Sequence, residues 1–551
     1  MKSLLAAALL ASVAIVAPAV AQNATAPAAP SLPPPRPKLI VAISVDQFSA
    51  DLFAQYRNRY TDGLARLQQG VVFPSGYQSH AATETCPGHS TILTGMRPAH
   101  TGIIANTWLD QRAGRPDKLI YCAEDESVAG TDHDKNYAPS DLHLRVPTLG
   151  DMMKRADPKA RVVSVAGKDR AAIMMGGHNT DQMWFWANDR FVTLPSRGNA
   201  PVPAVVARAN DAVGKLLAAP QPALPLPGYC KGLAQPITVG GQTMGAGRFE
   251  RAAGDRKSFR ASPALDGAVF ALAAGLIQDM KLGQGPSTDL IAIGASATDY
   301  VGHALGTQGS EMCIQMAQLD QTIGAFLGQL DRWGIDYEVM LTADHGAHDM
   351  TERQQQRAMP MEEHASATNA AKIVGAAIGR DLGIAGPVLI GPESDVYVAD
   401  SVPPARRAQV LAEAKRRYLA LPQVAAAFTR EEIAASRFAT TPPESWTLLE
   451  RARASYDPER SGDLMVLLKP RVTTIVAPGP FYVETHGSPW DYDRRVPVMF
   501  WRKGMAGFEQ PLSVETVDIT PTLAATIGLP VSGLDGRCLD LDPSAADTCP
   551  Q

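Results

Sequence analysis

The sequence lacks the features that mark several large classes of protein. After its first twenty-one residues, no stretch approaches the run of about twenty apolar residues that crosses a bilayer. This excludes a mature chain held in a membrane by its own helices. Lysine and arginine are scattered with no basic stripe beside aromatics, and the formal charge is −5, so nucleic-acid binding has no electrostatic support. The six cysteines include no CxxC pair, which argues against a structural zinc cage. There is no internal repeat, and no low-complexity stretch beyond one short linker.

The N-terminus has Lys2, an apolar run over 4–20 and Ala19-Val20-Ala21, the pattern of a secretory leader cut after Ala21. The mature chain is therefore expected to be periplasmic or secreted. In that setting the six cysteines suggest up to three disulfides, among fifteen pairings. Cys538–Cys549 is expected first because the two are close in sequence, followed by Cys86–Cys122 and Cys230–Cys313. Residues 22–37 are mostly Ala and Pro and read as an extended linker. Residues 38–551 read as one catalytic domain with insertions at about 187–260 and about 355–480. The first insertion is rich in Pro, Gly and Arg. The second, with a helix over 404–418 and a strand over 463–469, reads as a cap or accessory lobe.

Four apolar, β-rich runs (38–45, 161–165, 289–295 and 338–343) have the continuous hydrophobicity of strands buried on both faces. Helical patterns over 264–281 and 311–333 separate them, and the pattern resumes with a run at 496–501 and a helix near 520–527. Alternation of this kind implies an α/β fold with a doubly wound, mostly parallel sheet. Each of the four runs stops at ionisable residues: Asp46, then Lys168 and Arg170, then Asp299, then Asp344 and His345. Ligand sites in such sheets lie beyond the carboxyl ends of the strands.

A second pattern lies in Thr85-Cys86-Pro87-Gly88-His89. A hydroxyl at an N-cap followed by proline in the first turn favours a helix start, and Gly95 is placed to end that helix. Thr85 would then stand among free backbone N–H groups, where anions bind. Asp299 and His303 are spaced i, i+4 and reach one point from a helix; alone they read as a surface ion pair. Asp344 and His345 are adjacent and converge only on a bend, which Gly346 allows. With Asp46 and His486 the chain offers three carboxylates and three imidazoles, enough for two three-ligand metal sites with an open position each.

In this order, with Asn106 in Gly102-Ile103-Ile104-Ala105-Asn106, the motifs resemble the alkaline phosphatase superfamily, and most closely its threonine-nucleophile, PafA-type branch of periplasmic phosphate monoesterases. The resemblance covers nearly all of the mature chain. It implies two Zn²⁺ per chain, one on Asp299, His303 and His486, the other on Asp46, Asp344, His345 and the Thr85 oxygen. It implies that Thr85 is the nucleophile, giving a phosphothreonine intermediate, and that Asn106, Lys168 and Arg170 bind phosphate oxygens. The expected partners are small-molecule phosphate monoesters, bound by a monomer.

Formal charges support that substrate class. Two divalent ions, three carboxylates, a lysine, an arginine and an alkoxide leave a net charge of about +2, matched by a monoester dianion and not by a monoanionic diester. The nearest alternative is a nucleotide pyrophosphatase/phosphodiesterase, which resembles this site without the Lys168/Arg170 pair. A sulfatase needs C/S-x-P-x-R, and here Pro87 follows Cys86 at once with no arginine in place. A catalytically dead exported zinc-binding protein would not need every one of these groups.

Overall fold

The apolar runs that end in ionisable residues become neighbouring parallel strands. In the computed structural model, residues 36–549 are described except 199, 358, 393 and 544–546; the expected leader and most of the linker lie outside them. The main strands are β1 (Leu39–Val45), β2 (Val71–Tyr77), β3 (Val162–Ala166), β4 (Gln182–Ala187), β5 (Arg190–Val192), β6 (Asp289–Ala295), β7 (Tyr337–Thr342) and β8 (Arg495–Arg502). They form one sheet in the order β2-β8-β7-β1-β6-β3-β4-β5, completed to ten strands by Phe508–Glu509 and Val514–Glu515 on β2. β1 is central, with Leu39 opposite Asp289 of β6 on one side and Tyr337 of β7 on the other, all three strands parallel. β3 and β4 continue the parallel set, whereas β8 and β5 run against their neighbours. The sheet is thus mostly parallel, as expected.

β2 is not evident in the sequence because Pro74 and Gly76 interrupt it. Phe73 pairs with Val498 and Gly76 with Val496, so Pro74 and Ser75 together oppose one residue in a β-bulge. A bulge is where a strand tolerates a proline that cannot donate.

Six helices surround the strand ends: α1 (Thr85–Ile92), α2 (Asp169–Gly176), α3 (Arg256–Arg260), α4 (Pro263–Met280), α5 (Ala297–Leu305) and α6 (Ser310–Arg332). Side chains of β1 alternate between two cores. Leu39, Val41 and Ile43 pack with α4 and α6, while Ile40 and Ala42 pack with Leu149, Leu290, Ile519 and Leu523. Each fully buried Leu, Ile or Val side chain contributes roughly 1.5–3 kcal/mol, so the paired cores hold the strand ends rigidly.

The region 187–260 opens with the β4–β5 hairpin. Its turn residues Asn188 and Asp189 have φ of 51° and 64°, the backbone of a type I′ turn that Asn and Asp tolerate. A helix, Ala204–Ala218, follows and packs on α4. The region 355–480 has its own four-stranded sheet, flanked by Ala371–Leu382 and Pro404–Ala420 around a core that includes Tyr418. Cys86–Cys122, Cys230–Cys313 and Cys538–Cys549 are bridged, which leaves no free cysteine among the described residues. Among the same residues, no helix is long and apolar enough to cross a membrane.

Candidate active site

Beyond the carboxyl ends of β1, β6 and β7, buried carboxylates and imidazoles converge. Asp46 follows β1 directly and is 0 % exposed. The next residue, Gln47, has φ of 65°, uncommon for a side-chain-bearing residue, and its N–H donates to Asp344 Oδ1 at 3.1 Å. The strained turn thereby joins the ends of two neighbouring strands. Asp344 lies two residues beyond β7, and His345 N–H also donates to its Oδ1. Gly346 serves a reason other than a bend with unusual torsions: a Cβ there would stand 2.3 Å from Tyr492 O.

Thr85 is the first residue of α1 and not its N-cap. Glu84 occupies the cap position with extended backbone and makes no side-chain cap bond. The shift of one position leaves Thr85 at the helix start, 1 % exposed. α1 can lie against the end of β7 only because of Gly88, where a Cβ would meet Asp344 O at 1.9 Å. His89 closes the same contact, with Nδ1 2.9 Å from Thr85 O and 3.1 Å from Asp344 Oδ2. Gln78 donates to Ala343 O and accepts from Thr91 Oγ1, which ties α1 to the strand end.

Each of the three expected histidine ligands has Nδ1 against a backbone carbonyl: His303 on Glu484 O at 2.7 Å, His486 on Thr83 O at 2.8 Å, His345 on Gly346 O at 3.0 Å. A carbonyl only accepts, so a proton sits on Nδ1 and Nε2 is the atom that faces the cluster. From Asp299 Oδ1, His303 Nε2 is 3.3 Å away and His486 Nε2 3.4 Å. His345 Nε2 is 3.5 Å from Asp46 Oδ1, 3.2 Å from Asp344 Oδ2 and 3.4 Å from Thr85 Oγ1.

Among the described residues, two groups of ligand atoms are compact enough to hold a metal ion, Asp46/Asp344/His345 and Asp299/His345/His486. The first coincides with an expected set. In the second, His345 stands where His303 was expected, because the His345 and His486 rings stack at 3.6 Å; His303 remains at Asp299 Oδ1.

The residues fit metal ions on three counts. Bonds of about 2.0 Å to a tetrahedral ion put ligand atoms about 3.3 Å apart, the spacing found here. Oδ1 of Asp46 is buried without a hydrogen-bond donor, a costly state unless a cation compensates it. The charges also strain one another. Burial, with Asp299 and Asp344 nearby, pushes the Asp46 carboxyl up to about 7 despite Lys168. Against burial, Asp344 and Asp46 raise the His345 imidazole to about 9. Burial and His345 push His486 down to about 3.

Lys168, the N-cap residue of α2, is 2 % exposed and reaches between carboxylates, with Nζ 2.7 Å from Asp46 Oδ2 and 2.5 Å from Asp299 Oδ2. Burial opposes its charge, but the two aspartates hold the ammonium above its ordinary value. Arg170 Nη1 donates to Tyr121 Oη, which donates to Asp169 Oδ1. Asn106 Oδ1 accepts from Cys86 N–H at 2.8 Å, so its side-chain NH₂ is left as the donor. The Cys86–Cys122 bridge and the Cys122 N–H bond to Asn106 O hold that arrangement. A cavity of about 190 Å³ is lined by Thr85, Asn106, Arg170, His303 and His486 together with Asp395 and Tyr482. Larger cavities of about 510 and 580 Å³ include none of the ten expected site residues.

Sequence reasoning missed Gln47, Gln78 and Glu484, and left His89 without a defined contact. Gln47 Nε2 donates to Asp299 Oδ1 and Glu484 Oε2. The adjacency of Gln47 to Asp46 and of Glu484 to the His486 loop was the only available signal. His348 lies apart, bonded to Asp349 O and packed on Tyr492.

The fold and site together define a hydrolase of the alkaline phosphatase superfamily. The type I phosphodiesterase/nucleotide pyrophosphatase family model matches residues 40–489, and the chain belongs to that family. Within the superfamily its relatives of high identity are alkaline phosphatases. The chain is 56% identical over 520 residues to alkaline phosphatase PhoK of a Sphingomonas species, covering 93% of this chain and 92% of that one. It is 48% identical to alkaline phosphatase PhoD of Zymomonas mobilis, covering 93% and 89%. The crystal structure of wild-type alkaline phosphatase PafA shares the fold with a TM-score of 0.80 at 24% identity, over 92% of this chain and 98% of that one.

Proposed function

We propose that the protein is an exported phosphate monoesterase that holds two zinc ions and works through a phosphothreonine. Its relatives of high identity carry the name alkaline phosphatase, and three disulfides fit an oxidising compartment. Asp299, His303 and His486 would hold one ion, and Asp46, Asp344 and His345, with the Thr85 oxygen, the other. Bound there, zinc supplies positive charge for the attacking and leaving oxygens and lowers the pKa of a hydroxyl it touches.

The residues of the chain do the rest. Thr85 Oγ1 attacks phosphorus, an Oγ1–P bond forms and the bond to the alcohol breaks. Water then cleaves the Oγ1–P bond and releases inorganic phosphate. The α1 N-terminus, the Asn106 amide and the Arg170 guanidinium surround the phosphate's oxygens. Lys168 adds a buried point charge. These two cations favour a dianionic monoester over a monoanionic diester, which distinguishes this reading from a nucleotide phosphodiesterase of the same family.

The observation that carries the proposal is Thr85 Oγ1 at a helix start, 3.4 Å from His345 Nε2, beside two carboxylate–imidazole groups. Thr85→Ala is expected to lower monoester turnover by on the order of a thousandfold or more while zinc content is retained. An active Thr85→Ala enzyme would overturn the nucleophile.

A further inference from the structure

The cavity at Thr85 has a neighbour on the side of the 187–260 region. His303 and Tyr482 line both it and a second space of about 200 Å³, whose far wall is Tyr300, Lys257 and Arg260. Those last three residues also line the cavity of about 510 Å³ beneath the β4–β5 turn. The three spaces therefore adjoin one another across shared wall residues.

Glu84 and Asp395 stand at the Thr85 end, while cations outnumber the one carboxylate, Asp189, in the two outer spaces. The guanidinium of Arg260 lies 4.9 Å from the centre of the Tyr300 ring, and Lys168 Nζ lies 5.0 Å from the same centre. Tyr300 thus connects a cation of the active site to one of the insertion. Lys257 Nζ lies 5.7 Å from the Phe481 ring, beside Tyr482. Arg256 is neutralised by Asp189 at 2.8 Å, and that carboxylate also lines the far cavity. Lys257 and Arg260 are exposed, and neither is ion-paired among the described residues.

The two cations are held in place. Asp255 caps α3 through Ser258 N–H, and Phe259 is fully buried against Trp186 at 5.3 Å. Lys257 and Arg260, spaced i, i+3, then share one face of the short helix. An ordinary solvated face would carry mixed charges turned to open water. This one places two unpaired cations on a space that adjoins the active-site cavity.

We propose that Lys257 and Arg260 form a second anion site for a phosphate carried by the leaving alcohol, so that the enzyme prefers bisphosphorylated substrates. The inference rests on the monoesterase reading. Rates would be compared on the zinc-loaded enzyme for α,ω-alkanediol bisphosphates of two to eight carbons and for alkanediol monophosphates of the same lengths. In the unaltered enzyme the ratio of kcat/KM, bisphosphate to monophosphate, should peak at one chain length and fall as salt is raised. Lys257→Ala/Arg260→Ala should lower that ratio about tenfold at its peak, mostly through KM, and Lys257→Arg should keep it. A ratio that does not change in the double variant, or one near unity at every length in the unaltered enzyme, would overturn the second site. Failure of the zinc-loaded enzyme to turn over any monophosphate would instead overturn the monoesterase reading.

Discussion

Asp289 opens β6 and Asp46 follows β1, on adjacent strands but at opposite ends of the sheet, and both carboxylates are buried. Asp289 is supplied with donors: Arg161 N–H at 2.9 Å, Arg161 Nη2 at 2.8 Å and Gly283 N–H at 2.8 Å. Asp46 has one close cationic partner, Lys168 Nζ at Oδ2, which it shares with Asp299, and two other carboxylates press on it. At one end of the sheet a buried charge has donors of its own; at the other, three carboxylates crowd beside a single lysine. Glu338 of β7 shows a third outcome. Both its oxygens are buried without a donor of good geometry, it stands in neither group of metal-ligand atoms, and burial pushes its carboxyl up to about 7. Burial alone holds the proton of Glu338 to a higher pH, whereas at the other site three acids stand beside three imidazoles, the donor set of a metal.

The contrast is sharpest by substitution. Asp46→Asn should lower turnover by on the order of a thousandfold and release metal, while changing the thermal stability of metal-stripped protein little. Asp289→Asn should do the reverse, costing about 2 kcal/mol of stability with kcat retained. Thermal denaturation of stripped protein, paired with steady-state rates of loaded protein, would decide. Equal stability losses in the two variants would remove the distinction between the two ends.

Glu338 gives the most specific effect, one confined to a pH window. Its folded carboxyl lies above the ordinary value of 4.5, at about 7. Between those values the folded state keeps a proton that the unfolded chain releases, so wild-type stability falls as pH rises through that window. Glu338→Gln lacks this slope. Its stability relative to wild type should grow from near zero below the window to about 3 kcal/mol above it. A difference independent of pH would mean that Glu338 is ionised in the folded protein.

Much of the fold and site was legible in the sequence because the site is built from strand ends. Continuous apolar runs announce buried parallel strands, and the residues just past each run must lie at one edge of the sheet; Asp46, Lys168, Asp299 and Asp344 come from that rule alone. The grouping of ligands was less legible. His345 reaches Asp46, Asp344 and Thr85 and stacks on His486 because α1 packs on the end of β7 at Gly88, a contact between segments far apart in sequence. A hydroxyl before proline suits a cap, which sets Thr85 one residue early; in the structure Glu84 holds the cap position and accepts Asn106 N–H instead. β2 was hidden by Pro74 and Gly76, whose bulge only its partner strand reveals. Where Lys257 and Arg260 stand depends on how Phe259 anchors α3 against Trp186, which no periodicity encodes.

Dianion selectivity and dependence on metal are tested together by one set of rates on one sample. A monoester, a diester and a sulfate ester sharing a single alcohol would be assayed with metal content measured, before and after chelation, for wild type and for Lys168→Ala/Arg170→Ala. The expected result is two zinc ions per chain, a strong preference for the monoester, loss of all activity on chelation with recovery on zinc, and a double variant that loses monoesterase far more than diesterase activity. Full activity without metal, or equal losses on monoester and diester in the double variant, would contradict a metal-dependent, dianion-selective monoesterase.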